Sequence, residues 1–281
     1  MKKGDGCAVN IISTVQQVTF GVRTMEATLL LYNSLFLATI LYNAQSWSHL
    51  STSEMNRLRG CQLSFLKRIL HVPKSAPTAI VFSELGILPV EFEIYTRQLM
   101  FLQHIVKLDQ SDPVRKMYQE QLKYPNEMNW AIEVKRIREQ MNIASADDDI
   151  RAVNKMTWKS QVNKAVKEAA LKKLNSDCIR LKIVSRQYTE LTTKDYLLNL
   201  PVDDARLAFA YRAGTLDIKS NRQYMYKDLV CRVCGKSEET LNHVVNICQQ
   251  PSSKLDIESQ NVDVIRDIVK RIKTHYTKVT E

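Results

Sequence analysis

The stretch STSEMNRLRGCQLSFLKRILHVP, residues 51–73, decides the fold class. Ser51 and Glu54 stand three apart, so the serine hydroxyl accepts from the first helical turn while the carboxylate answers the Ser51 N–H. A helix therefore starts here. Leu58, Phe65 and Ile69 fall on one face, with Arg57, Ser64, Lys67 and Arg68 largely elsewhere, and Pro73 halts the run. The same grammar continues downstream. Thr78 to Leu85 ends at Gly86, which suits the left-handed backbone that closes a helix, and Pro89 opens a longer helix through Leu108.

Outward from that stretch, only 7 glycines and 7 prolines interrupt 281 residues, and the 44% apolar content is enough for a sizeable core. An all-α fold is expected, as a multi-helix body with a small C-terminal module. Polar stretches at Tyr124-Pro125-Asn126-Glu127 and Ser145-Ala146-Asp147-Asp148-Asp149 read as boundaries. They suggest a helical domain over 1–125, a basic helical linker over 126–195, and a third region over 196–281. That last region closes with an amphipathic helix between Asp256 and Tyr276, which carries Val262, Val264, Ile265, Ile268, Val269 and Ile272.

Ala27 through Ser46 carries no charge and is rich in leucine, yet Asn33, Ser34, Thr39, Asn43 and Gln45 would each need a partner in lipid. A central buried helix is expected there, and no membrane is expected as a partner.

The net charge of +10 and pI near 9.3 suit a polyanionic partner without establishing one. Its distribution is more telling. Between Arg151 and Arg186 lie ten cations against two anions, Glu168 and Asp177. From Arg151 to Leu174 the apolar residues Val153, Met156, Val162, Val166, Ala169 and Ala170 recur at near-helical spacing, making an amphipathic helix whose Lys164, Lys167, Lys172 and Lys173 face out. Two readings of that face stay open: a solvated surface, or a phosphate contact. The preceding acidic triplet is expected to cap this helix through the macrodipole, with a magnesium site as the sharper alternative.

Cys231-Arg-Val-Cys234, followed after eight residues by His243 and after four more by Cys248, is the sharpest local signal. Two cysteines separated by two residues share one tight turn, helped by Gly235, and a His and a Cys from a following helix complete a tetrahedron. Zn2+ suits three thiolates and one imidazole, and a closed set of four leaves no open position for catalysis. The rivals are a redox CxxC pair, which would not call for His243 and Cys248, and a chance grouping. Cys7, Cys61 and Cys178 stand apart, and no apolar leader follows Met1-Lys2-Lys3-Gly4-Asp5. The expectation is a reducing intracellular compartment, nucleus or cytoplasm.

Around the cluster stand Arg212, Lys219, Arg222, Lys227, Arg232 and Lys236, interleaved with Tyr211, Tyr224 and Tyr226. Cations hold phosphates while aromatic faces stack on unpaired bases, although the tyrosines serve equally well as packing. Asp203-Asp204 follows Leu200-Pro201-Val202 and leads into Ala205-Arg206-Leu207-Ala208-Phe209, which is a helix N-terminus and not a polymerase metal site. There is no Gly-rich phosphate loop and no nucleophile elbow in the sequence.

Leu31-Tyr32-Asn33-Ser34 through Leu41-Tyr42-Asn43-Ala44-Gln45-Ser46-Trp47 resembles the post-palm region of non-LTR retrotransposon reverse transcriptases. Leu63-Ser64-Phe65-Leu66-Lys67-Arg68-Ile69-Leu70 is similar to that family's thumb helix, and Ser83-Glu84-Leu85-Gly86-Ile87-Leu88-Pro89 to its next turn. Lys194-Asp195-Tyr196-Leu197, Ala213-Gly214-Thr215-Leu216-Asp217-Ile218-Lys219 and the cysteine cluster with Glu238-Glu239-Thr240 resemble its C-terminal segment. The likeness fades between Met128 and Ser185. The histidine spacer is longer than in the short retroviral-type knuckle.

The resemblance implies a thumb, linker and zinc knuckle that hold template RNA or target DNA, with the polymerase aspartates belonging to a palm and fingers portion upstream. On its own the chain is then expected to bind RNA or DNA and not to polymerise. Two other readings remain, a zinc-dependent protein-interaction module that docks a partner or the missing catalytic half, and a decayed element copy without activity.

Overall fold

The computed structural model describes residues 24–125, 128–143, 146–181, 187–248, 251 and 253–280. Cys7, Asn126, Glu127, Ser145, Lys182 and Arg186 lie outside the described residues. Within them the secondary structure is helical throughout, and the one β-type pairing is an isolated antiparallel bridge between Val230 and Glu238.

Helix α1 starts at Met25–Leu31 behind a Thr24 cap, widens into a π-helical turn at Tyr32–Leu37 and finishes at Ala38–Ile40. It buries Leu29, Tyr32, Phe36, Leu37 and Leu41, while Asn33, Ser34, Thr39 and Asn43 meet solvent. The helix is thus buried on one face only, not central. Leu30 on its outer side is 67% exposed, and Tyr42 in the turn after the helix is 81% exposed. Among the described residues no helix is long and apolar enough to cross a membrane.

Helix α2, Thr52–Ile69, begins with the capping box anticipated at Ser51 and Glu54. Its Phe65 stacks on Phe36 with ring centroids 4.4 Å apart. Buried Gln62 joins three elements, its amide donating to the Tyr32 hydroxyl at 2.8 Å and the Leu88 carbonyl at 2.9 Å. Its carbonyl oxygen accepts from Val90 N, an N–H that has no partner inside its own helix.

Helix α3, Thr78–Leu85, closes at Gly86 with φ of 66°. Two constraints demand glycine there: the left-handed backbone, and a Cβ that would sit 2.2 Å from Thr193 N. Helix α4, Val90–Lys107, follows, then α5, Pro113–Leu122, and α6, Trp130–Gln140. The acidic triplet opens its own short helix, α7, Asp147–Ala152. It therefore does not cap the basic helix; Asn154 does, accepting from Thr157 N at 2.8 Å. Asp147 instead ties α5 to α6, accepting from Tyr118 and from Arg138.

The basic helix α8, Lys155–Ile179, buries a row one residue wide: Trp158, Val162, Val166, Ala170, Leu174 and Cys178. A repeat of four makes these side chains one ridge inclined to the helix axis, which packs against α3 and α4, and the Trp158 indole donates to the Leu99 carbonyl at 3.0 Å. Through this row α8 contributes directly to the core. One hydrophobic cluster runs from Met25 to Ile272. Helices α9, Asp195–Asn199, and α10, Val202–Arg212, lead to the cysteine cluster with α11, Leu241–Asn246, and then to α12, Val262–Thr280, which packs on α9, α10 and α11.

Fully buried Glu84 of α3 and Arg212 of α10 form a bidentate pair, with Nη2–Oε1 at 2.9 Å and Nε–Oε2 at 3.0 Å. Tyr188 donates to the same carboxylate at 2.8 Å, and Arg212 also donates to the Ser259 carbonyl ahead of α12. Arg212→Leu would strand a buried carboxylate, so urea unfolding should show a loss of about 3–5 kcal/mol; Glu84→Gln with Arg212→Met should lose less, because no bare charge remains buried.

Glu91 is the second buried carboxylate, held by Arg59 at 3.1 Å and by Lys173 at 2.6 Å. Burial pushes its pKa up, but the hydrogen bonds from Arg59 and Lys173 outweigh that and set it below the usual range. A lowered folded pKa contributes stability above the unfolded value and loses it as pH falls through the folded one. Lys173→Met should therefore flatten the acid side of the stability-versus-pH curve measured by thermal melting.

Candidate metal centre

The chain enters the cluster through Leu229 and Val230, where the Val230–Glu238 bridge brings two short segments side by side. Cys231 N donates to the Ser237 carbonyl at 2.8 Å, and Gly235 N donates to the Cys231 carbonyl at 3.0 Å with φ of 65°. This turn carries Cys231 and Cys234. Thr240 then caps α11 by accepting from His243 N at 3.1 Å, which places His243 in the first turn. Cys248 follows the end of that helix, its N–H donating to the His243 carbonyl at 2.7 Å.

These elements bring all four anticipated ligands together: one ligand atom from each of Cys231, Cys234, His243 and Cys248 lies within 4.8 Å of every other. The Cys231 and Cys248 sulfurs are 3.6 Å apart, and Cys234 Sγ is 3.3 Å from His243 Nε2. Cys231, Cys234 and Cys248 are free thiols. Ser237 Oγ lies 2.9 Å from His243 Nδ1. That contact holds the ring with Nδ1 engaged and Nε2 turned toward the sulfurs, the arrangement a metal-binding imidazole requires. Ser237 is a supporting residue that spacing alone did not reveal.

The electrostatics favour a cation. The Lys236 backbone N–H draws the Cys234 thiol pKa down, whereas burial and the neighbouring Cys231 and Cys234 sulfurs push Cys248 up to about 12. Three converging sulfurs do not all ionise unaided; a divalent ion reverses that order by neutralising them. The group can hold a metal ion as a closed four-ligand site, which suits a structural role.

The surrounding cations are largely spoken for. Arg212 is 0% exposed and locked to Glu84, so it is not available to a phosphate, contrary to expectation. Lys219 pairs with Asp228 at 2.8 Å, Arg222 with Asp217 at 3.2 Å, and Arg232 with fully buried Glu239. Lys219 and Arg232 also cover the Tyr226 ring, while Tyr211 is buried. Lys227, Lys236 and Tyr224 remain exposed. Asp203 and Asp204 sit in the first turn of α10, paired with Arg206 and Lys273.

On α8 the outcome differs. Lys164, Lys167 and Lys172 are exposed and carry no ion pair among the described residues, whereas Lys173 is the counter-ion of Glu91. Helical rows add what the anticipated set missed: Lys155 and Lys159 share the row of Lys167, and Arg180 shares that of Lys164 and Lys172. Glu168 is the one anion in those two rows.

Fold and site together define an all-α protein with a Cys-Cys-His-Cys cluster able to hold a metal ion. No protein-family model matches the chain, and no curated protein or solved structure matches it significantly.

Ser237→Ala should weaken metal affinity about tenfold by releasing the imidazole, measured by competition with a chromogenic chelator.

Proposed function

We propose that this chain is a nucleic-acid-holding segment, the non-catalytic C-terminal part of a non-LTR retrotransposon reverse transcriptase. The observation that carries the reading is the track on α8: Lys155, Lys159, Lys164, Lys167, Lys172 and Arg180 stand exposed without counter-ions among the described residues. At 1.5 Å per residue this track is ~37 Å long. The helix backs onto the core through a single buried row, so its cations are carried on a rigid support. Trp158, the aromatic residue of α8, is buried, so the surface suits phosphates and not stacked bases. The bound species is then RNA or DNA read through its backbone.

The metal in this reading is Zn2+. A zinc tetrahedron with Zn–S bonds of about 2.3 Å has sulfur–sulfur edges of roughly 3.7–3.8 Å. The 3.6 Å between Cys231 and Cys248 is close to that edge. Zinc would hold Cys231, Cys234, His243 and Cys248 in place and supply rigidity, not chemistry. Exposed Lys227, Lys236 and Tyr224 beside it are the groups left to meet a strand.

A second reading, a docking module for a partner protein, draws on the exposed apolar groups Leu30 on the outer side of α1 and Tyr42 in the turn after it. The two separate cleanly. Under the first, log affinity for RNA falls linearly with log salt, with a slope near −5 for a duplex and about −4 for a single strand if all six cations engage. Lys164→Glu, Lys167→Glu and Lys172→Glu combined should cost tenfold or more in a filter-binding assay and about halve the slope, with the fold intact by circular dichroism. An unchanged affinity and slope would favour the docking module.

A further inference from the structure

Helix α12 carries His275 to a position 0% exposed beside the metal cluster. Neither ring nitrogen has a hydrogen-bond partner, although a buried imidazole ordinarily finds one. Two acceptors lie near: His275, Glu239 and Cys231 place ligand atoms within 4.8 Å of one another. The carboxylate is the poorer choice. Glu239 Oε2 is 3.9 Å from His275 Nε2. Its oxygens already accept from Arg232 N at 2.8 Å, Arg232 Nε at 3.0 Å, Arg232 Nη2 and Lys219 N. The same engagement disqualifies Glu239 as a ligand for a second metal ion, since its oxygens are committed to a guanidinium. Cys231 remains, buried and already a member of the four-ligand group.

We propose that His275 is a positioning residue of the metal centre, its ring N–H donating to the Cys231 sulfur when that sulfur is a metal-bound thiolate. A thiolate on a divalent ion is a far better acceptor than a neutral thiol, and partners of this kind orient ligands and tune metal affinity. The consequence reaches beyond the cluster. Arg271, one turn earlier on α12, donates to the Val245 carbonyl of α11 at 3.0 Å and to the Ser253 carbonyl at 2.8 Å. Metal binding and docking of the terminal helix thereby become one event.

The proposal rests on the metal-centre reading, and Co2+ tests both. His275→Phe fills the space without a donor, and His275→Gln restores an N–H. In the full chain, His275→Phe should bind Co2+ about tenfold more weakly and shift the sulfur-to-cobalt charge-transfer band to lower energy, with His275→Gln recovering both. Wild-type affinity and spectrum in His275→Phe would overturn the proposal, as would His275→Gln failing alongside it. Two Co2+ per wild-type chain falling to one in the variant would also overturn it, by making His275 a ligand. If His275→Phe does not fold, His275→Gln decides alone: a preserved band supports the proposal and a lost band overturns it. A wild-type chain that takes up no Co2+ removes the metal centre itself, whereas unchanged variants remove only the role of His275.

Discussion

A guanidinium and a carboxylate buried together between α3 and α10 hold the two halves of this chain in one body. Arg212 and Glu84 are each wholly inside, and the pair draws in Tyr188, Gln260 and the Ser259 carbonyl, so four stretches far apart in sequence meet at one charge. Such a pair contributes little net stability against a well-packed apolar alternative, because both ions leave water. What it imposes is register. An arrangement that separates the partners buries a bare charge, so α10, the cluster that follows it and the approach to α12 are fixed relative to α3. Gly86 sharpens the same constraint, since the Thr192–Thr193 backbone passes where any Cβ would stand.

The metal cluster is built by short-range geometry and held by long-range packing. Its turn, its histidine rotamer and its helix cap are set within residues 231–248 by backbone hydrogen bonds and by Ser237 and Thr240. Its surroundings are set from outside. Glu239, which lies between the second cysteine and the histidine in sequence, turns inward to Arg232 and faces α12.

The cations divide by the same logic. Near the cluster, charge is abundant in sequence yet mostly consumed by internal partners, so local density overstates what a polyanion would meet. On α8 the reverse holds: a single buried row leaves most of the helix circumference outside, and acidic neighbours are few. Lys173 shows how narrow the distinction is, because it differs from Lys172 by one step around the helix and belongs to the buried Glu91 instead of to solvent.

The all-α class, the Ser51 capping box, the stop at Gly86, the helix N-terminus at Asp203-Asp204 and the four-ligand group were legible in the residues. Each depends on interactions within a few residues or on ligand chemistry that tolerates little substitution. Other features were not legible: that Asn154 and not the acidic triplet caps the basic helix, that Arg212 is interior, that Lys173 is a counter-ion, and that His275 comes within 4.8 Å of Cys231. Those outcomes depend on which side chains meet across gaps of up to 128 residues, as Glu84 and Arg212 do. A charge declares its sign in the sequence, but only packing decides whether its partner is another residue of the chain or something outside it.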